Sequence, residues 1–437
     1  MSDETFRLNG DQPAAGTSEP TTDAPVRYET VNRQQVELQP CDLEALLPPG
    51  HAARLVWRFV EGLDLQRFYG AIRARDGGPG RAAIDPKILV ALWLYATIDG
   101  VGSARALDRL CYSQDAYRWI RGGVSVNYHT LSDFRVQHRD ALDDLLTQSI
   151  AALLKRAVVT LARVAQDGTR VRASAGMRSF RRRPTLEEAL RLARQQVERT
   201  ARQEDGAMLS REAAAQARAA AEHLARVEEA LAEMPTVEAT KARHKSKATP
   251  RVSTTDPEAR VMKMADGGFR PAYNIHFATD VESRVIVGVQ VTNVGSDQGQ
   301  LPPMLNEIER RTRHVPDATL VDGGFVTKST VEDATRRGTI LYAPVAKPKG
   351  ERAVSAPRPD DSAPVALWRA RMATDAAKTL YKQRAATAEW VNADARTHRT
   401  LTALSVRGLA KVHLWALWAA LAHNMIRTME IVPHLMT

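Results

Sequence analysis

The residues best placed to do chemistry are three carboxylates. Asp167 follows the stretch ARVAQ and precedes Gly168. Asp322 follows the apolar run 318–321 and precedes Gly323 and Gly324. Each reads as a carboxylate at the end of a strand, beside glycines that let a ligand come close. Oxygen ligands in such a place suit a hard divalent ion such as Mg²⁺, which keeps open positions for phosphate oxygens. Two ions about 4 Å apart can hold the attacking and leaving oxygens of a phosphodiester displacement. Asp-Gly is also a common turn dipeptide, and either pair could simply end a strand.

A third acid is needed to close such a site. Glu389 lies in YKQRAATAEWVNADAR, where Tyr381, Arg384, Glu389, Asn392 and Arg396 recur at three- to five-residue steps. Most of them share one broad helix face. A phenol, two guanidiniums, a carboxylate and an amide are odd company on a core helix. A solvated face laced with salt bridges is the plainer reading.

The elements that must position these groups can be read along the chain. Residues 1–27 hold Pro, Gly, Ser, Thr and acids but almost no large apolar residue, the pattern of a disordered acidic tail. Residues 28–158 read as an all-helical, arginine-rich domain. Within it DPKILVALWLYATIDG carries a capping Asp85, Pro86 at the first helical position and a stop at Gly100. Helical spacing also runs through 52–63, 103–111 and 131–155. Residues 159–184 open a second domain with a strand and the first acid. A long Ala/Glu/Arg/Gln stretch then begins with a capping box, Thr185 and Glu188. It predicts one or two helices, broken near Asp205 and Gly206, and ends in a basic linker, so that 185–255 is an insertion. Residues 256–437 return to the second domain, with strands in AYNIHFATD, RVIVGVQVTNV, 318–321 and TILYAP. A loop over 346–365 follows, then helices over about 368–397 and 409–431.

Composition sets limits. The 437 residues carry a formal charge of +10 and are 44% apolar, which suits a folded chain with a polyanionic partner. Two cysteines, Cys41 and Cys111, exclude a disulfide scaffold. The polar, acidic start does not read as a signal peptide. The longest apolar runs, 88–98 and 414–422, are about half of the ~20 residues a membrane span needs and read as buried helices.

Other charged and aromatic residues have two readings each. Arg178, Arg181, Arg182 and Arg183, and the linker cluster Lys241, Arg243, His244, Lys245, Lys247 and Arg251, either line a DNA path or are merely solvated. Asp297 either caps a helix, the stronger reading, or supports a metal site. His276, His413 and His423 lack metal-ligand spacing and read as packing or surface residues. Trp415 and Trp418 read as core or dimer contacts rather than a base-stacking platform.

The blocks VSTTDPEARVMKMADGGFRPAYNIHFATD and VTNVGSDQGQLPPML, the VDGGF after a strand, and Tyr-x-x-Arg upstream of a Glu together resemble a DDE transposase of bacterial insertion sequences. The likeness is nearest to the branch called eleven-eighty-two, in the group with a Tyr-Arg-Glu-Lys signature. NYHTLSDFR at 127–135 looks like that group's N-terminal domain.

The resemblance implies an α+β, RNase H-like catalytic domain: a mixed five-stranded sheet with flanking helices, interrupted by the helical insertion. It implies Asp167, Asp322 and Glu389 as the catalytic, metal-binding acids, served by Mg²⁺ or Mn²⁺, two ions in all. It places Tyr381, Arg384 and Arg396 on the DNA backbone. The implied partners are the element's terminal inverted repeats and target DNA, bound by a homodimer on the bacterial nucleoid in the cytoplasm, with no membrane. Three departures stand out. Four residues separate Arg384 from Glu389 where three are usual, Arg396 replaces Lys, and Trp390 stands where Pro is frequent. Asp394 and Asp375 are the fallback third acids. The implied function is cleavage of element ends and transfer of the freed 3′-hydroxyl into target DNA. The alternatives are a decayed transposase acting as a DNA-binding regulator, and a nuclease of the same fold that cuts without joining.

Overall fold

The computed structural model describes residues 42–74, 82–204, 211–243, 245, 248–345 and 357–432. The expected tail, Cys41, the break at Asp205 and Gly206, His244, Lys247 and most of the 346–365 loop lie outside them.

Among the described residues seven helices come first: α1 (Ala52–Glu61), α2 (Gln66–Gly70), α3 (Pro86–Ile98), α4 (Ala104–Ser113), α5 (Asp115–Arg121), α6 (Tyr128–Gln137) and α7 (Arg139–Lys155). Asp85 caps α3 by accepting from the Lys87 N–H, and Pro86 opens it. Nearly all of α3 is buried, as an all-round apolar helix must be. The single helical stretch expected over 131–155 is instead two helices, α6 and α7, because His138 leaves the helical region (φ −104°, ψ 53°).

The sheet then begins with β1 (Arg163–Arg172) and β2 (Phe180–Arg181). Helices α8 (Arg183–Glu204) and α9 (Arg211–Arg243) intervene. They pack on each other through an apolar seam that includes Leu186, Ala230 and Met234, and through Arg194 to Glu228. The capping-box reading fails here: α8 already starts at Arg183, so Thr185 lies inside the helix. Lys241 and Arg243, expected in a linker, still belong to α9.

The chain continues through β3 (Val252–Ser253), β4 (Arg260–Lys263), β5 (Phe269–Asp280), β6 (Ile286–Thr292), α10 (Leu301–Thr312), β7 (Ala318–Leu320), α11 (Lys328–Arg336) and β8 (Ile340–Tyr342). Among the described residues the main sheet has six strands, not five. Its order is β4-β5-β1-β7-β8, with β6 on the same edge of β5 as β4. The extra strand is β4, which pairs only with the first four residues of the twelve-residue β5. The pairs β1–β5 and β5–β6 are antiparallel, while β1–β7 and β7–β8 are parallel. Strands β2 and β3 form a separate two-stranded ribbon at the foot of the α8–α9 hairpin.

The closing helices are α12 (Ala363–Ala373), α13 (Asp375–Tyr381), α14 (Trp390–His398) and α15 (Leu409–Ile431), with a π turn over Ala385–Glu389. The expected continuous helix over 368–397 is therefore a broken run. It starts earlier, at Ala363, and Thr374 interrupts it with an extended backbone (φ −74°, ψ 147°).

One apolar core spans the helical module and the sheet, and α15 runs through it. Asn424 on α15, 1% exposed, exchanges two hydrogen bonds with the Ile286 backbone (2.7 and 2.8 Å) and so satisfies the edge of β6. Arg311 on α10 reaches back to α7 by pairing with Asp143 and donating to Thr147. Trp415 and Trp418 are core residues. Between them and α3 lies Arg135, expected among the module's basic residues but only 7% exposed. Its guanidinium carbon sits 4.5 Å from the Trp93 ring centre and 4.4 Å from that of Trp415, and Nη1 donates to the Gly102 carbonyl. Burial pushes its pKa down to about 10.

A desolvated cation between two indoles is worth about 2 kcal/mol or more, and truncating it also opens a cavity. Arg135→Ala should destabilise the chain by roughly 3 kcal/mol in denaturant titration. Arg109→Ala, at an exposed position, should change it by less than about 0.5 kcal/mol.

Candidate active site

Asp167 is not at the end of its strand. It sits mid-way along β1, because β5 is long enough to pair with β1 as far as Arg172. What ends near Asp167 is the other neighbour, β7, which pairs with β1 only from Arg163 to Ala165. Ala165 lies opposite Leu320 in that parallel pair. Carrying the register two residues further brings Asp167 opposite Asp322. One acid thus stands where its strand loses a partner, and the other stands just past the end of that partner.

Asp322 is held by its own loop. Its carboxylate accepts from the Gly324 N–H at 2.7 Å and caps a 3-10 turn over Gly323–Phe325. Phe325, fully buried, anchors the turn in a cluster with Leu301, Leu305, Val331 and Leu341. Its ring meets His276 of β5 edge-on at 5.6 Å.

Gly168 explains why the strand needs glycine beside the acid. A Cβ there would fall 2.7 Å from Asp297 Oδ1, 2.8 Å from His276 Cε1 and 2.9 Å from Asn274 Oδ1. Asp297 is not a helix cap. The α10 N-terminus has no side-chain cap, and the Asp297 carboxylate instead accepts from Asn274 Nδ2 (2.7 Å) and lies 4.0 Å from Arg170. His276, read as a packing or surface residue, is wholly buried, and burial pushes its pKa down to about 4. The other two histidines have ordinary places. His423 bonds Asp394 and the Arg284 carbonyl, and His413 lies half-buried on α15.

The third element is the broken helical run. Arg384 reaches both Asp167 (Nη1 to Oδ2, 3.5 Å) and Glu389 (Nη2 to Oε1, 2.9 Å). Tyr381 lies under the guanidinium, 5.9 Å from ring centre to Cζ. The extra residue between Arg384 and Glu389 is taken up by the π turn. In a π turn residues five apart are one turn apart, so Arg384 and Glu389 remain stacked. Asn392, 4% exposed, donates from Nδ2 to Asp167 Oδ2 at 3.3 Å. Arg396 is exposed and donates to the Asn392 carbonyl. The fallback acids are engaged elsewhere: Asp394 by Arg399 and His423, Asp375 by Lys378.

The electrostatics follow from this geometry. Burial raises the pKa of Asp167. The Arg384 charge and the Gly168 N–H oppose that shift, and the charges of Asp322 and Asp297 add to it. Burial works against the charge on Arg384, but Tyr381 and Asp167 outweigh it and its pKa is raised. Glu389 remains 59% exposed at its side chain. Among the described residues no three of His, Cys, Asp and Glu converge closely enough to hold a metal ion. Asp167 and Asp322 are neighbours, and Glu389 is held off by Arg384. The donors at hand are nevertheless all hard oxygens, two carboxylates and the side-chain Oδ1 of Asn392, which has no hydrogen-bond partner among the described residues. That chemistry fits Mg²⁺ or Mn²⁺.

The basic run after the first acid divides. Arg178, Arg181 and Arg182 are exposed, and no ion pair engages them among the described residues. Arg183 departs from the expectation. Glu238 on α9 takes up its guanidinium at 2.6 and 3.0 Å, so it fastens the hairpin.

Two outcomes follow. Because the folded pKa of Asp167 is raised, its burial is favourable only while it is protonated. That contribution is present below the carboxylate's ordinary pKa and is lost as pH rises through the folded value. Metal-free Asp167→Asn should therefore gain melting temperature relative to wild type between pH 4 and pH 7, and a constant difference across that range would contradict the assignment. Deleting Ala386 should turn the π turn into a regular α turn with Arg384 and Glu389 still stacked. The melting temperature should hold, whereas inserting one further alanine should lower it.

Two family models match the chain. Residues 236–425 match the model described as Transposase DDE domain. Residues 41–137 match the model described as Transposase domain (DUF772). No curated protein and no solved structure matches. The first match takes in β3 to β8, the second acid and the broken helical run, and the second takes in α1 to α6. DNA is the partner these domains imply, and among the described residues no helix is long and apolar enough to cross a membrane. The chain is a DDE transposase of an insertion sequence, an enzyme of nuclease and transesterase chemistry.

Proposed function

We propose that Asp167, Asp322 and Glu389 are the three catalytic acids of this transposase, and that they hold two divalent ions, Mg²⁺ or Mn²⁺. The observation that carries this reading is the register of β1 and β7, which sets Asp167 opposite Asp322 with Arg384 between Asp167 and Glu389. When bound, the ions activate the attacking oxygen and neutralise charge on the phosphate. The chain supplies position. Asp167 and Asp322 fix the reacting centre on the rigid sheet. Glu389 closes it from the π turn, where its exposed side chain has room to move. Tyr381, Arg384 and Arg396 contact the backbone near the scissile phosphate, and an Arg at 396 forks onto a phosphate as a Lys cannot. Arg178, Arg181 and Arg182 line the approach.

Two in-line displacements use the same site. In the first, water attacks the phosphodiester at the element end, the P–O3′ bond breaks, and a 3′-hydroxyl is released. In the second, that hydroxyl attacks a target phosphodiester, and one P–O bond forms as another breaks. The helical module, residues 28–158, reads the terminal inverted repeats. Two copies bring the two ends together on the nucleoid. The insertion, residues 185–255, flanks the DNA path with its hairpin. The eleven-eighty-two branch is the affiliation we infer, on the order of the blocks around the second and third acids.

Asp322→Ala tests the reading. It should abolish Mg²⁺-dependent cleavage of a duplex carrying the element's own ends, by at least about 10³-fold, while leaving the gel shift on those ends intact. Cleavage retained by the purified variant would sink the assignment. Pre-cut ends joined to target by the wild type would separate a transposase from a nuclease that only cuts.

A further inference from the structure

Asn392 is the one side chain at this site that spacing placed on the helix face and that the reaction as described leaves without a task. It is 4% exposed, three residues past Glu389 and on the same side of α14. Its Nδ2 donates to Asp167 Oδ2 at 3.3 Å, and its Oδ1 has no partner among the described residues. A buried carbonyl oxygen left unpaired is costly, so a site that keeps one normally brings it a ligand. Apart from Asn392, Asp167 has two holds. The Gly168 N–H reaches Oδ1 at 2.9 Å, and Arg384 lies 3.5 Å from Oδ2. The Arg384 contact is that of a cation opposite a carboxylate, shared with Glu389. Asn392 is the neutral one.

We infer that Asn392 is a positioning residue for the divalent cation site: its amide N–H₂ orients the Asp167 carboxylate, and its unpaired Oδ1 receives the hydrated cation beside it. The inference rests on Asp167 being a metal ligand. A neutral amide suits the place for a physical reason. It donates to a carboxylate without competing for it as a second cation would, and its carbonyl is a hard oxygen acceptable to Mg²⁺ or Mn²⁺. A leucine of similar size would fill the volume and do neither.

The test is a Mn²⁺ titration of the full chain without DNA, read as the shift in melting temperature. The variants are Asn392→Ala, Asn392→Asp and Asp167→Asn. Asn392→Ala should melt near the wild type without metal yet need about 10–100-fold more Mn²⁺ for the half-maximal shift, the usual loss when a ligand's orienting partner goes. Asn392→Asp, which keeps an oxygen in place, should recover Mn²⁺ binding while melting lower without metal, because it adds a carboxylate to two others. A purely packing role would give the opposite pattern: a lower metal-free melting temperature and an unchanged titration in Asn392→Ala. That result overturns the proposal. If Asn392→Ala does not fold, Asn392→Asp decides, and binding no better than in Asp167→Asn overturns it. If Asp167→Asn itself titrates like the wild type, the reading of Asp167 as a metal ligand is wrong and the role of Asn392 falls with it.

Discussion

The parallel pairing of β1 with β7 is the constraint on which the site depends. Carried two residues past its last pair, Ala165 with Leu320, that register brings Asp167 and Asp322 to the same level just beyond the end of the shorter strand. Like charges that close repel, and burial of Asp167 makes its charge costlier still. A fold carries such an arrangement by protonating one acid or by setting positive charge beside it. Within the chain that role falls to Arg384, whose guanidinium lies between Asp167 and Glu389. The acids and the arginine form one electrostatic unit, and on the proposed reading a divalent cation would enter in competition with that arginine.

This competition gives the broken helical run its meaning. A straight helix from 363 to 398 would be stiff over its whole length. The chain instead interrupts it at Thr374 and again with the π turn, just where the third acid sits. π turns are weaker than α turns and commonly mark functional positions. The segments on either side are well fixed. Tyr381 packs on the cluster around Phe325, while Val391 and Ala395 enter the main core. Asp394, behind them, is tied to Arg399 and to His423 on α15. Glu389 is thus an exposed acid on a π turn between two anchored helices, and on the proposed reading it swings inward while its neighbours stay.

Much of this was legible from residue types and spacing. The two Asp-Gly pairs, the strand runs, the buried helix at 88–98 and the odd polar face at 381–396 are local signals, and local signals survive in one dimension. The misplaced features depend on partners far along the chain. Gly168 makes Asp167 look like a strand end, yet β5, more than a hundred residues later, keeps the strand going. The helix that follows makes Asp297 look like a cap, yet Asn274 and Arg170 claim it across the sheet. Spacing puts Asn392 on the right face, but nothing in that spacing shows that Asp167 meets it.

The arginines make the same point about charge. A surplus of ten positive charges invites the view that the basic residues form a DNA footprint. The structure uses many of them as mortar. Arg135 is closed between Trp93 and Trp415, Arg311 is buried against Asp143 and Glu307, Arg369 against Asp361, and Arg183 ties the hairpin to Glu238. Such charges are already neutralised or desolvated and release no counterions when DNA arrives. Only exposed cations without acidic partners can do that, and among the described residues these include Arg172, Arg178, Arg181, Arg182, Lys382 and Arg396. The salt dependence of end binding should therefore scale with such residues and not with the net charge of the chain, because binding counts phosphates met by free cations.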